Sequence, residues 1–249
     1  MSADIHEKHS PLSQFEVKKI IDLNFGSVDI SFTNSSLYMV LATLAAIFFM
    51  IFATRKKALV PSKLQVIAES IYNFVAEMVK GGIGNEGSKF FPLVFSLFLF
   101  ILFCNILGLT PYSFTATSQI IITLSLALVA FITVTVFAIK RNGFSGFLHM
   151  FIPSGVPAFM LPLIFLIEFF SFVIRPVTLS VRLFANMVAG HVLLKVIAGF
   201  IISLGVVFGV FPFLFSMIIT GFELFVAILQ AYIFTILVCA YLGDVTKEH

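Results

Sequence analysis

Residues 158–211 read AFMLPLIFLIEFFSFVIRPVTLSVRLFANMVAGHVLLKVIAGFIISLGVVFGVF. Almost every position is apolar, yet Glu168, Arg175, Arg182, His191 and Lys195 stand within the run. A helix needs about 20 apolar residues to cross the hydrocarbon core of a bilayer. This tract exceeds that length, although Pro162, Pro176 and several glycines interrupt it. Working outward, apolar runs of spanning length cover 37–54, 90–109 and 119–139 before it and 212–242 after it. With 158–204 these make five predicted membrane helices, so the fold class is an all-α polytopic membrane protein. The organisation predicted is a polar N-terminal tail, 1–36, followed by one membrane domain, 37–249.

Composition agrees with this reading. Of 249 residues, 60% are hydrophobic and 11% charged, and the mean hydropathy is +1.12. Soluble domains carry about 25% charged residues, so lipid rather than water is expected to cover much of the surface. The stretch 64–80 is different. Ile67, Ile71, Phe74, Val75 and Met78 recur at helical spacing, with Glu69, Asn73, Glu77 and Lys80 on other faces. Such a pattern predicts an amphipathic helix lying at an interface, with Pro61 before it and Gly81-Gly82 after it.

Basic residues set orientation in a membrane. Arg55, Lys56, Lys57, Lys63, Lys80 and Lys89 crowd one segment, Lys140 and Arg141 follow the third helix, and Lys247 lies at the C-terminus. The loop 110–118 has none, and the tail to Asp29 has three basic and five acidic residues. The tail is therefore expected outside and the C-terminus in the cytoplasm. No cleavable leader is read, because the first apolar run follows a polar tail and has its basic flank on the wrong side. The net charge of +3 comes without a basic patch interleaved with aromatics, so no nucleic-acid partner is expected. Cys104 and Cys239 both fall in apolar runs and read as small hydrophobes, with no metal or disulfide spacing. No G-x-x-x-x-G-K-[ST] run is present, and no cofactor is expected.

The ionisable residues inside the apolar tracts carry the functional signal. An arginine at the bilayer centre costs roughly 2.5–3.5 kcal/mol on insertion scales, so it persists where it meets a partner or a polar path. Glu168, Arg175, Arg182 and Ala189 are each seven apart and share one helical face, with Asn186 on the same side as Arg182. His191 points nearly opposite. In the last helix Glu223 and Gln230 are again seven apart, with Ala227 between them. Two helices thus present polar stripes, as a path lined by side chains would. Arg175 also reads as an ion pair with Glu168 or as a residue snorkelling to the surface, Lys195 as a second snorkelling residue, and Tyr232 and Tyr241 as packing residues.

The run RPVTLSVRLFANMVAGH, 175–191, resembles the signature of subunit a of F-type ATP synthase, as do NILGLTPYSFT at 105–115 and the segment Glu223–Gln230. The resemblance extends from the first helix onward. It implies a proton-translocating stator subunit whose partners are the c-ring, peripheral-stalk subunit b, protons and the lipid bilayer. Arg182 would be the stator arginine, separating two aqueous half-channels and meeting each rotor carboxylate in turn. Asn186 and Gln230 would flank it, His191 and Glu223 would line the outer half-channel, and Glu168 the cytoplasmic one. Many bacterial members have an acid at the position of His191 and a histidine at that of Glu223. The swapped arrangement resembles alphaproteobacterial and mitochondrial members, so the location implied is a bacterial inner membrane or, alternatively, a mitochondrial one. The family's last two helices are long and tilted, which suits these tracts, and such a subunit is not an enzyme by itself. A stand-alone transporter would call for matching broken helices in two halves, and an intramembrane protease for H-E-x-x-H or a serine with a helix-borne base. Neither pattern is seen.

Overall fold

The computed structural model describes residues 15–22, 24–25, 28–29, 31–55, 61–110, 113–152 and 157–246. Lys56, Lys57, Pro111, Tyr112, Lys247 and most of the N-terminal tail lie outside the described residues, and so do the readings that rest on them. The elements are β1 (Lys19–Ile21), β2 (Asn24–Phe25), β3 (Val28–Asp29), β4 (Phe32–Thr33), α1 (Asn34–Thr54), α2 (Lys63–Ile83), α3 (Phe91–Gly108), α4 (Ile120–His149), α5 (Leu161–Phe208) and α6 (Val210–Thr246). Short 3-10 turns cover Gly84–Lys89, Ala116–Ser118 and Ala158–Met160. Five helices, α1 and α3 to α6, are long and apolar enough to cross a membrane. The protein is an all-α polytopic membrane protein.

Two compact units divide the chain, and α2, α3, α5 and α6 each pass from one to the other. The first unit holds the ribbons, α1, α2 up to Ala68, the chain from Leu99 to Gln119, α5 from Leu183 and α6 up to Tyr232. In it β1 pairs antiparallel with β4, and β2 with β3. The Thr33 hydroxyl accepts from Ser36 N at 3.3 Å, capping the first turn of α1. Helix α1 buries Ser35, Ala42, Ala46 and Ala53. This stripe of small residues lets a neighbouring backbone come close, which is how helices pack when lipid removes the hydrophobic drive between them. Phe49 meets Phe103 of α3 at 5.7 Å between ring centres. At the other end of this unit, α5 turns into α6 at Gly205, whose φ of 68° favours glycine. Gly209 N donates to the Gly205 carbonyl at 2.8 Å and closes the turn.

The second unit contains α2 from Glu69, α3 up to Phe98, α4, α5 up to Arg182 and α6 from Ile233. Ala127, Ala130, Val134 and Ala138 form the buried stripe of α4, and Phe137 packs edge-on against Phe90 at 4.5 Å. A cluster of phenylalanines gathers at Phe172, which contacts Phe131, Phe147 and Phe151 with centres 4.8–5.8 Å apart. These offset and edge-on geometries follow the ring quadrupole. Arg141 pairs with Glu86 at 2.8 Å, tying α4 just before its bend to the 3-10 turn after α2.

Three expectations change. Helix α4 runs on past the predicted end at Ile139 to His149, because Gly143, with φ of 69°, bends the chain and helix resumes. Pro176 does not interrupt α5, which is helical on both sides of it. Along α2 the buried residues are Ala68, Val75, Met78, Val79 and Ile83, while Ile67 and Phe74 of the predicted stripe remain exposed. Of that stripe, only its C-terminal part faces protein. The ribbons of the tail were not anticipated, since two- and three-residue strands are too short to show a period of two.

Candidate functional site

In the first unit, α5 and α6 bring His191 and Glu223 to one small cavity, lined also by Asn186, Met187, Leu109 and Val226. It has about 10 Å³ of space for water centres, room for about one water molecule. Glu223 is 7% exposed, and among the described residues neither of its carboxylate oxygens has a hydrogen-bond partner. A buried acid without a partner is costly, so within an apolar helix it makes the position a functional candidate. It lies against Gly190, where a Cβ would push the Glu223 carboxylate out of its present position.

His191 is half-buried, and its Nε2 lies 2.7 Å from the Thr115 hydroxyl. Thr115 in turn reaches the Gly108 carbonyl at 3.2 Å. Asn105 is fully buried. It donates to the Ala227 carbonyl at 3.1 Å and accepts from the Thr117 hydroxyl at 2.8 Å. This clamp holds α6 between Glu223 and Gln230. Gln230 is buried on the same stripe as Glu223, Ala227 and Ala231. Asn105 and Thr115 bound the run 105–115, whose sequence points to no role for either. An amide inside an otherwise apolar helix was a usable signal for Asn105. Thr115 stands in a polar loop segment whose residue types point nowhere in particular.

The second unit holds Glu168, Arg175 and Arg182. Arg175 pairs with Asp244 of α6 at 3.4 Å, not with Glu168. Two helical turns separate Glu168 from Arg175, a rise of ~10 Å along a straight helix, whereas Asp244 comes across from another helix. The Arg175 guanidinium also lies 4.8 Å from the Tyr241 ring centre and 5.8 Å from that of Phe172. Tyr241 is therefore more than packing, since it supplies a cation–π face. Glu168 is half-buried and makes no ion pair among the described residues. Arg182 is exposed on α5 between apolar neighbours that are exposed too, among them Val177 and Val181. Among the described residues nothing forms an ion pair or hydrogen bond with it. No group of three metal-ligating side chains gathers among the described residues.

A model of the family described as ATP synthase A chain matches residues 36–243, from the first turn of α1 to the last turns of α6. The chain belongs to the ATP synthase A chain family. As a member it is a proton-translocating subunit of the membrane sector of ATP synthase. The match takes in nearly all of the five apolar helices with Glu168, Arg175, Arg182, His191 and Glu223, ends one residue before Asp244, and leaves the N-terminal ribbons outside it.

Proposed function

We propose that this A chain is the stator that couples proton flow to rotation of a c-ring, through two offset aqueous half-channels and the single charge of Arg182. The observation that carries the reading is the placement of Arg182. It is exposed on an apolar helix face without an anion among the described residues. A guanidinium facing lipid is expensive, so a carboxylate brought by another subunit is the natural partner. That carboxylate is ionised while it faces Arg182, because an opposite charge within about 4–6 Å favours the charged form. It takes up a proton when it moves away.

Each proton crossing the membrane releases about 2.3 kcal/mol per 100 mV. A continuous pore would dissipate this, whereas half-channels separated by a fixed positive charge force the proton to ride the rotor. His191, Glu223 and Asn186 around one cavity support an outer half-channel, and Glu168 fits the cytoplasmic one. Asn186, four residues after Arg182, and the buried Gln230 are assigned to the flanks of the arginine. Subunit b is the expected stalk partner. The pairing of His191 with Glu223 favours a bacterial inner membrane of the alphaproteobacterial kind, with a mitochondrial inner membrane as the alternative.

Vesicles containing matched amounts of assembled complex test the role of Arg182. Arg182→Ala should abolish ATP-driven proton pumping and open a passive leak. Arg182→Lys should fail as well, since a compact ammonium does not reproduce the planar guanidinium. Coupled pumping by Arg182→Ala would overturn the assignment.

A further inference from the structure

We propose that Thr115 is a positioning residue for His191: its hydroxyl holds the Nε2 edge of the ring and leaves Nδ1 as the nitrogen that takes up and releases the translocated proton. The inference rests on the outer half-channel reading above. A threonine hydroxyl has one proton to donate and two lone pairs to accept with. The Gly108 carbonyl, 3.2 Å from Thr115 Oγ1, can only accept, so the hydroxyl proton goes there. With the hydroxyl proton assigned to that carbonyl, the 2.7 Å contact with His191 is read as Nε2–H donating to Oγ1. A neutral imidazole carries one N–H, so Nδ1 keeps its lone pair.

The step is balanced as follows. A proton arriving at the ring forms an Nδ1–H bond while the O–H bond of its donor breaks, and the ring becomes imidazolium with Nε2–H still held. Loss of the Nδ1 proton restores the same tautomer. Thr115 itself is unchanged throughout.

Three features pin the arrangement. Thr115 is 4% exposed, so water does not compete for its hydroxyl. A Cβ at Gly108 would fall 2.6 Å from Thr115 Cγ2 and 2.7 Å from Oγ1, so glycine alone leaves the hydroxyl in place. Phe15 meets the imidazole edge-on at 6.3 Å, and Gln119 Nε2 holds the Phe15 carbonyl at 2.8 Å.

ATP synthesis driven by an imposed proton gradient, in vesicles with the whole complex and normalised to assembled complex, tests this. Thr115→Val keeps the shape and removes the hydroxyl, and should slow synthesis about fivefold, the population ratio that one net hydrogen bond sustains. Thr115→Ser should retain most of the rate. In a His191→Ala background Thr115→Val should cost nothing further, which a purely structural role would not produce. Full activity in Thr115→Val with His191→Ala impaired overturns the inference and leaves the half-channel reading intact. Equal loss in Thr115→Ser and Thr115→Val also overturns it. Wild-type synthesis by His191→Ala removes the half-channel reading and this inference together. If Thr115→Val does not assemble, Thr115→Ala enters the same comparison with the same outcomes.

Discussion

Arg175 and Arg182 stand seven residues apart on α5, and their surroundings separate them. Arg175 has Asp244, Tyr241 and Phe172 for company, whereas Arg182 has no anion among the described residues. Arg175→Ala should therefore retain measurable coupling while lowering the thermal stability of the complex. Because the Asp244 side chain is 53% exposed, the ion pair itself should contribute little, about 0–1 kcal/mol. A double-mutant cycle of Arg175→Ala and Asp244→Ala on thermal stability checks this. A coupling well above that range would mean the charge pair, and not the aromatic stacking, holds Arg175. Glu223 calls for a different experiment. It is buried with no hydrogen-bond partner among the described residues, so Glu223→Ala should assemble yet synthesise ATP slowly. Wild-type synthesis rates in a fully assembled Glu223→Ala complex would refute a relay role.

Among the helices of the second unit, the contact between α2 and the end of α6 leaves least room for change. A Cβ on Gly82 would come 2.9 Å from Cys239 Cβ, and one on Gly243 would collide with the Gly82 carbonyl. Thr246 Oγ1 adds a hydrogen bond to the Ile83 carbonyl at 3.2 Å. Backbone cannot swing aside as a long side chain can, so even one added methyl forces the helices apart. Gly243→Ala is expected to destabilise this contact by about 1–3 kcal/mol, the usual range for overpacking. The measurement is the melting temperature of the detergent-solubilised complex, and an unchanged melting temperature would show that the helices separate freely. Helix α5 poses a question of length. Its candidate span, Leu161–Gly205, has 45 residues and would run ~68 Å as a straight helix, against a hydrocarbon core of about 30 Å. Such a helix must tilt, curve or project beyond the core, and length alone does not choose among these.

For the whole molecule, the distribution of basic residues makes a claim about sidedness. The segment with Arg55, Lys63, Lys80 and Lys89, and the part of α4 with Lys140 and Arg141, should face the cytoplasm, and the ribbons before α1 should face out. Cysteines introduced at Ser62 and Val17, both exposed, give a direct test with a membrane-impermeant thiol reagent. The native Cys104 and Cys239 are buried and should contribute little background. Labelling of both positions from one side would exclude the five-pass arrangement.

Length and apolarity alone determined that five helices are able to cross a membrane, since a helix that pairs its own backbone is self-sufficient in lipid. Helical spacing likewise placed Glu223 and Gln230, seven apart, on one stripe of α6, and Arg182 and Asn186, four apart, on one side of α5, because helical periodicity is a local property. Helix ends were less legible: the apolar run stops at Ile139, whereas helix continues past the bend at Gly143 to His149. The resemblance brought His191 and Glu223 together, and they do line one cavity; other contacts between helices were beyond reach, because spacing along one helix says nothing of what arrives from another. The tertiary structure therefore decided that Arg175 meets Asp244 and not Glu168, that Thr115 and Gly108 hold His191, that Asn105 clamps the Ala227 carbonyl, and that Gly190 makes room for Glu223. Each of these joins residues far apart in the chain, and only packing brings them within the few ångströms over which a hydrogen bond or a steric clash acts.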